Sequence, residues 1–361
     1  MKKHFDRREF LKYSGLVMGG LLLPETASRL LVPQSTFFDS GNKLGRICVG
    51  DEGAHFDLKS EPNWDATSTD IVWRDEVVIW EREVVSNKTD FITINKKWVE
   101  TPKGYIFSPY VQPVKDISNE PLFQLPETPD GKRGMWIEIT KPVVDIIPAV
   151  TPSSYWIREV LKPRVYFSQV FWAYDIRQNE GKTEYRLMEK YGALPDSYWV
   201  DATACRGITE DEMTPIHPDN PDKHIEIDLN YQTLSCFEGK QEVYFCEVSS
   251  GGIVDGEWLT PRGIHTIWRK MISTHMSSGG IWGSYDSPGI AWTTLFDPNG
   301  AAIHSAYWHN DFGTARSHGC INCRPEDAKW IWRWTQPEVT YFPGELTITG
   351  LGNSTKVEIF D

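Results

Sequence analysis

Residues 224–252 read HIEIDLNYQTLSCFEGKQEVYFCEVSSGG, and their pattern decides the fold. Ile225, Ile227 and Leu229 alternate with polar residues, so they share one face of an extended strand. A second apolar run follows, then a turn over Glu238–Gln241, then a third run. Runs this short, separated by a turn, predict antiparallel β structure; an amphipathic helix would repeat its apolar positions every three to four residues. A two-residue turn at Gly239 and Lys240 would set Cys236 opposite Val243. Further on, KVEIF (356–360) alternates in the same way and reads as a closing strand.

Upstream, EMTPIHPDNPDK (212–223) is a Pro- and Asp-rich joint that opens a domain at 222–361. Before the joint, short apolar pairs broken by Gly, Asp, Asn and Pro run back to about residue 40, which predicts two more β modules, at 40–120 and 134–215. In the first, KKWVETPKGYIFSPYVQPV (96–114) carries a Trp, a Gly-Tyr step and a closing Pro. Residues 44–114 resemble a bacterial SH3-like barrel on that basis, and the second module could share the build. Its aromatics, Trp172, Tyr174, Tyr185, Tyr198 and Trp199, could line a glycan groove, although aromatics at strand spacing more often fill a core.

Residues 1–35 stand apart as a targeting segment and linker. Arg7 and Arg8 precede Phe10, Leu11 and Lys12, and a short apolar run from Leu16 to Leu23 follows. That order resembles a twin-arginine export signal, with a basic-ended helix as the duller reading. The run is short for a bilayer span, and the first cysteine, Cys48, comes too late for a lipid anchor. Export to the bacterial cell envelope or wall follows as the expected location, with membrane contact only through an uncleaved signal. Thirty-seven basic against 50 acidic residues give a net charge of −13. That argues against nucleic acid, which needs a basic face to displace counterions. An aromatic content of 13% rules out a disordered chain.

The chemistry concentrates in AIHSAYWHNDFGTARSHGCINCRPEDAKW, residues 302–330. A cysteine attacks only as thiolate, so it needs a base close by. It also needs N–H donors aimed at the oxygen that becomes negative. SHGC (317–320) offers both: Gly319 permits a tight turn, and the N–H groups of Gly319 and Cys320 can converge. Pro325, Glu326 and Asp327 start a helix after it. Three other readings compete on residue types alone: a metal site drawing on His304, His309, His318, Cys320 and Cys323, a thioredoxin-like dithiol, and a structural disulfide. No second C-x-x-C completes a four-cysteine zinc site, and a dithiol of that kind belongs to a βαβ fold.

His304 followed by SHGCIN (317–322) resembles the signature of the L,D-transpeptidases, the YkuD-type catalytic domain, and the order of strands is similar over residues 222–361. The resemblance implies a mainly β chain: SH3-like modules, then a β-sandwich catalytic domain with a short helix after the catalytic loop. It implies that Cys320 attacks a peptidoglycan stem tetrapeptide to form a thioester and then a 3,3 cross-link. His304 would be the base, held in its tautomer by the Ser305 carbonyl, with His318 shaping the loop and Gly319 lending its N–H. Ser317, Asn322 and Arg324 would fix the loop or bind the stem. The partners would be stem peptides and the wall, with no cofactor and no bound metal. A stem-peptide carboxypeptidase and a non-catalytic wall-binding protein are the alternatives. Cys323, where the family more commonly has an apolar residue, has two readings: a disulfide partner that switches Cys320 off, or a small buried residue, the commoner state of a free cysteine.

Overall fold

A computed structural model describes residues 43–361 apart from 51–52, 89–93, 159–161, 192–195, 278–284 and 350–353. The expected export signal therefore lies outside the described residues. Among those described, no helix is long and apolar enough to cross a membrane.

The strand Lys223–Asp228 alternates buried and half-buried residues and ends where Asp228 turns on its own backbone. Its carboxylate accepts from the N–H groups of Asn230 (3.0 Å) and Tyr231 (3.1 Å), which takes the chain out of the ladder. The next strand, Thr233–Glu238, pairs antiparallel with the first, then turns at Glu238 and Gln241 into Gln241–Glu247. Val243 is an extra residue at a bulge between Cys236 and Phe237, so Cys236 faces Tyr244 and not Val243. The turn spacing holds for two pairs, Glu238 with Gln241 and Phe237 with Glu242, and the inserted residue then shifts the register.

Lys356–Phe360 lies parallel to the first strand, and Gly263–Thr266 lies antiparallel beyond it, completing a five-stranded sheet. A second five-stranded sheet has the order Ile321–Cys323, Ala302–Ser305, Asp286–Leu295, Arg269–Ser277, Glu345–Thr347. The helix Pro325–Trp334 follows at once, with proline and two acids in its first turn, which suits its N-terminus. Two lysines satisfy carbonyls at its other end: Lys223 donates to Trp334 (2.8 Å), and Lys270 donates to Thr335 and Pro337 (each 2.7 Å). Both sheets and the helix share one core, to which Ile225, Ile272, Trp292, Ile321 and Trp332 belong.

Upstream, residues 43–114 form a three-stranded and a five-stranded antiparallel sheet around Phe56, Trp98 and Phe107. Residues 135–207 form a six-stranded sheet with a two-stranded pair beside it. There Trp172, Tyr185 and Tyr198 are buried, so these three are core and not groove. Trp199 is half-buried under the Arg177 guanidinium, 4.3 Å from the ring centre. A four-residue helix, Tyr155–Arg158, is one that the strand pattern did not announce. The described residues, from 43 to 361, make one compact unit. The second module is bonded to the C-terminal domain through Gln169 to the Pro288 carbonyl (2.6 Å) and Trp136 to the Tyr341 carbonyl (2.9 Å).

Candidate active site

Parallel pairing of Ala302–Ser305 with Ile321–Cys323 sets Ile303 beside Ile321 and His304 beside Asn322. Side chains alternate along a strand, so Cys320 and Asn322 share the face of His304 while Ile321 and Cys323 point the other way. The observed linings follow this rule. His304, Cys320 and Asn322 border one cleft of about 500 Å³, together with Tyr285, Trp308 and Arg316, whereas Ile321 and Cys323 lie in the core beside Cys236 and Cys246. All six cysteines are free thiols. Strand alternation thus separates Cys320 from Cys323, and the disulfide switch gives way to the reading of Cys323 as a buried apolar residue.

His304 is buried, and its Nδ1 lies 2.9 Å from the Ser305 carbonyl oxygen. A carbonyl only accepts, so the ring proton is on Nδ1 and Nε2 keeps its lone pair. Burial pushes His304 down to about 4 against the opposing pull of that hydrogen bond. Burial likewise pushes the half-buried Cys320 thiol up to about 11, with the Ala302 N–H pulling the other way. At neutral pH the cleft therefore holds a neutral thiol and a neutral imidazole. Such a pair makes its nucleophile on demand, by proton transfer as the sulfur attacks.

The loop before Cys320 is held by its own atoms and by strands beneath it. Ser317 Oγ accepts from the Gly319 N–H (3.0 Å) and donates to the Cys320 carbonyl (2.5 Å). Gly319 has φ 137°, and an added Cβ would sit 3.1 Å from the Leu259 carbonyl oxygen, so only glycine fits. The buried Thr260 hydroxyl donates to the Gly319 carbonyl (3.0 Å) and accepts from the Gly251 N–H (2.7 Å). Backbone bonds from Ser317 N to Ser250 O (2.8 Å) and from Gly252 N to Ser317 O (3.0 Å) complete the seat.

Several expectations change here. The Gly319 N–H, expected as an oxyanion donor, is occupied by Ser317. Ser317, expected to bind substrate, spends its hydroxyl inside the loop. Arg324 is absent from the cleft lining: it pairs with Glu247 (3.0 Å) and lies over the Phe312 ring at 4.7 Å. Arg316 is the guanidinium that borders the cleft. His318 is exposed at the cleft, its ring 5.4 Å from that of Tyr285. Asn322 is buried 2.9 Å from His309 Nε2, and the Ser305 hydroxyl accepts from the Ala291 N–H (3.1 Å). Thr260, Trp308 and His309 in these roles escaped the sequence reading. Only the Gly-Gly after the third strand hinted at a close backbone approach.

Residues 222–359 match the family model of the YkuD L,D-transpeptidase catalytic domain. A similar curated protein is the putative L,D-transpeptidase YciB of Bacillus subtilis (strain 168), 27% identical over 128 residues, 32% of this chain. The chain spans 63% of that relative's length. Among solved structures, the NMR structure of the catalytic domain from E. faecium L,D-transpeptidase is 24% identical, with a TM-score of 0.29, over 39% of this chain and 98% of that one. The L,D-transpeptidase from Mycobacterium smegmatis is 14% identical, with a TM-score of 0.31, over 69% of this chain and 95% of that one.

Proposed function

We propose, from an L,D-transpeptidase catalytic domain at residues 222–359, that this chain is a cell-wall acyltransferase with Cys320 as nucleophile and His304 as base. The observation that carries the reading is a cysteine and an imidazole on one cleft face, with the imidazole Nδ1 committed to the Ser305 carbonyl. Cys320 Sγ adds to the carbonyl carbon of the amide joining the third and fourth residues of a stem tetrapeptide, and its proton passes to His304 Nε2. The Cys320 N–H meets the developing negative oxygen. Collapse breaks the C–N bond, the imidazolium protonates the leaving D-alanine, and a thioester stays on Cys320. An amine of a second stem peptide then attacks the thioester, gives its proton to His304 and regenerates the thiol, leaving a 3,3 cross-link. Water in place of the amine would give a tripeptide.

The rest of the chain fits work outside the cell membrane. The Arg7-Arg8 pair with its apolar run supports export, and two β modules upstream, SH3-like in this reading, would hold the enzyme against the wall. The test is incubation with disaccharide tetrapeptide and identification of the products by mass. A cross-linked dimer supports the transferase, tripeptide alone means a hydrolase, and no change means a wall-binding protein. Ertapenem, which acylates the E. faecium catalytic domain, should add its mass to the wild type. Cys320→Ala should abolish turnover and labelling while its melting temperature holds, and a label that survives the substitution removes Cys320 from the role.

A further inference from the structure

The stretch from Tyr307 to Asp311 connects the base to the nucleophile's loop, and the first β module grips it at three points. Arg46, only 1% exposed, donates from Nη2 to the Tyr307 carbonyl (2.7 Å). Asn310 donates from its backbone to the Pro109 carbonyl (3.2 Å) and from its side chain to the Ser108 hydroxyl (3.1 Å). Asn95 donates to the Asp311 carboxylate (3.0 Å). On its inner side this strap shapes the cleft. The Trp308 ring borders the cleft and lies 5.9 Å from the His304 ring, with 34° between their planes. His309 meets Asn322.

Arg46 is fixed from every side. Its Nε and Nη2 reach Gln112 Oε1 (3.0 and 2.8 Å), and its Nη1 reaches Asp75 (3.0 Å). Its guanidinium carbon lies 4.1 Å from the centre of the Tyr166 ring, which stacks on Tyr307 at 5.8 Å and 22°. A buried cation is costly unless its donors are satisfied, and here one of them is satisfied only by a backbone carbonyl of the strap, 261 residues along the chain. We infer that the first β module is part of the catalytic apparatus, with Arg46 as a positioning residue that sets the strap, and through Trp308 the ring of His304, for proton transfer from Cys320. Small misplacements of reacting groups cost large factors in rate. The module's effect should thus fall on the chemical step and not on binding. The inference rests on the proposed roles of His304 and Cys320.

The test compares wild type with Arg46→Gln, and with the double variant Ser108→Ala/Asn310→Ala, which removes the side-chain bond at one of the three grips without leaving a buried charge unpaired. Two rates are read: turnover of the tetrapeptide, and alkylation of Cys320 by iodoacetamide across pH, which needs no natural substrate. Arg46→Gln should lose on the order of tenfold to a hundredfold in kcat with KM within about twofold, and its alkylation profile should move along the pH axis. Arg46→Lys should recover part of both, because an ammonium can still reach the Tyr307 carbonyl. The double variant should show a smaller loss of the same kind, and it decides the matter if Arg46→Gln does not melt cooperatively. A folded Arg46→Gln with wild-type kcat and alkylation profile overturns the inference, as does an unchanged double variant where that one decides. Absence of tetrapeptide turnover in the wild type counts against the proposed function instead, and the alkylation profile still tests the strap.

Discussion

His275 and His304 are buried histidines on strands of one sheet, and burial ends differently for each. Burial pulls both rings toward the neutral form. At His275 it is outweighed by the side chains of Asp286 and Glu189, one at each ring nitrogen, and the group is pushed up to about 10. At His304 the facing group is a carbonyl, burial wins, and the group falls to about 4. One ring, raised toward its charged form, braces the second β module, through Glu189, against the strand pair that carries Met276 to the cleft. The other keeps a free lone pair on Nε2, as the proposed base requires. Depth does not tell a catalytic histidine from a structural one; the chemistry of the partner does.

Removing the base should have the larger effect. His304→Ala should slow acylation of Cys320 by about two to four orders of magnitude, the range for a lost general base, measured well below the variant's melting range. In the wild type kcat/KM for acylation should stay flat from about pH 5 to 10, with its acid limb near 4. A limb near the ordinary histidine value of about 6.5 would erase the contrast between the two rings.

His275→Leu should invert that pattern. It strands Glu189 and Asp286 without their cation and should cost about 3–5 kcal/mol of stability, measured by denaturant unfolding, with turnover largely kept below the melting range. The sign with pH follows from the raised group. Its contribution is whole below about 6.5 and is lost as pH rises through about 10. Glu189, also raised by burial, opposes it by costing stability once ionised. Wild-type stability should therefore fall on the alkaline side, and His275→Leu should lack that fall. An equal fall in the variant would mean that another group carries it.

The smallest effect tests the thiols. Cys323→Val, a near-isosteric swap in the core, should cost less than about 1.5 kcal/mol and leave inactivation by mild oxidant, and its recovery with reductant, as in wild type. A variant that loses recovery would bring Cys323 back toward Cys320.

Much of the site was legible in the chain. The alternation of 224–229, the turn at Gly239, the helix opening at Pro325 and the tight turn at Gly319 depend on neighbours within a few residues. The Ser305 carbonyl on His304 Nδ1 was expected from the family resemblance instead, and the structure places it there. Arg316 and Arg324 were not separable in this way. They stand eight residues apart on either side of one turn, and only the path of the chain decides which borders the cleft. The bulge at Val243 likewise left no mark that an unbulged hairpin would lack.

What the sequence determined by itself was local: the two-residue period of the strands, the glycine that the loop before Cys320 requires, and the nearness of a cysteine to histidines. Covalent geometry and steric exclusion act over a few residues, so residue order is enough to specify them. Tertiary structure decided everything that depends on meeting a distant partner. It turned Cys323 away from Cys320, gave His275 its carboxylates and denied them to His304, seated Gly319 on Thr260, and carried Arg46 to the Tyr307 carbonyl. Ionisation and hydrogen-bond strength depend on the dielectric and charges around a group, and that surrounding exists only once the sheets and modules have packed.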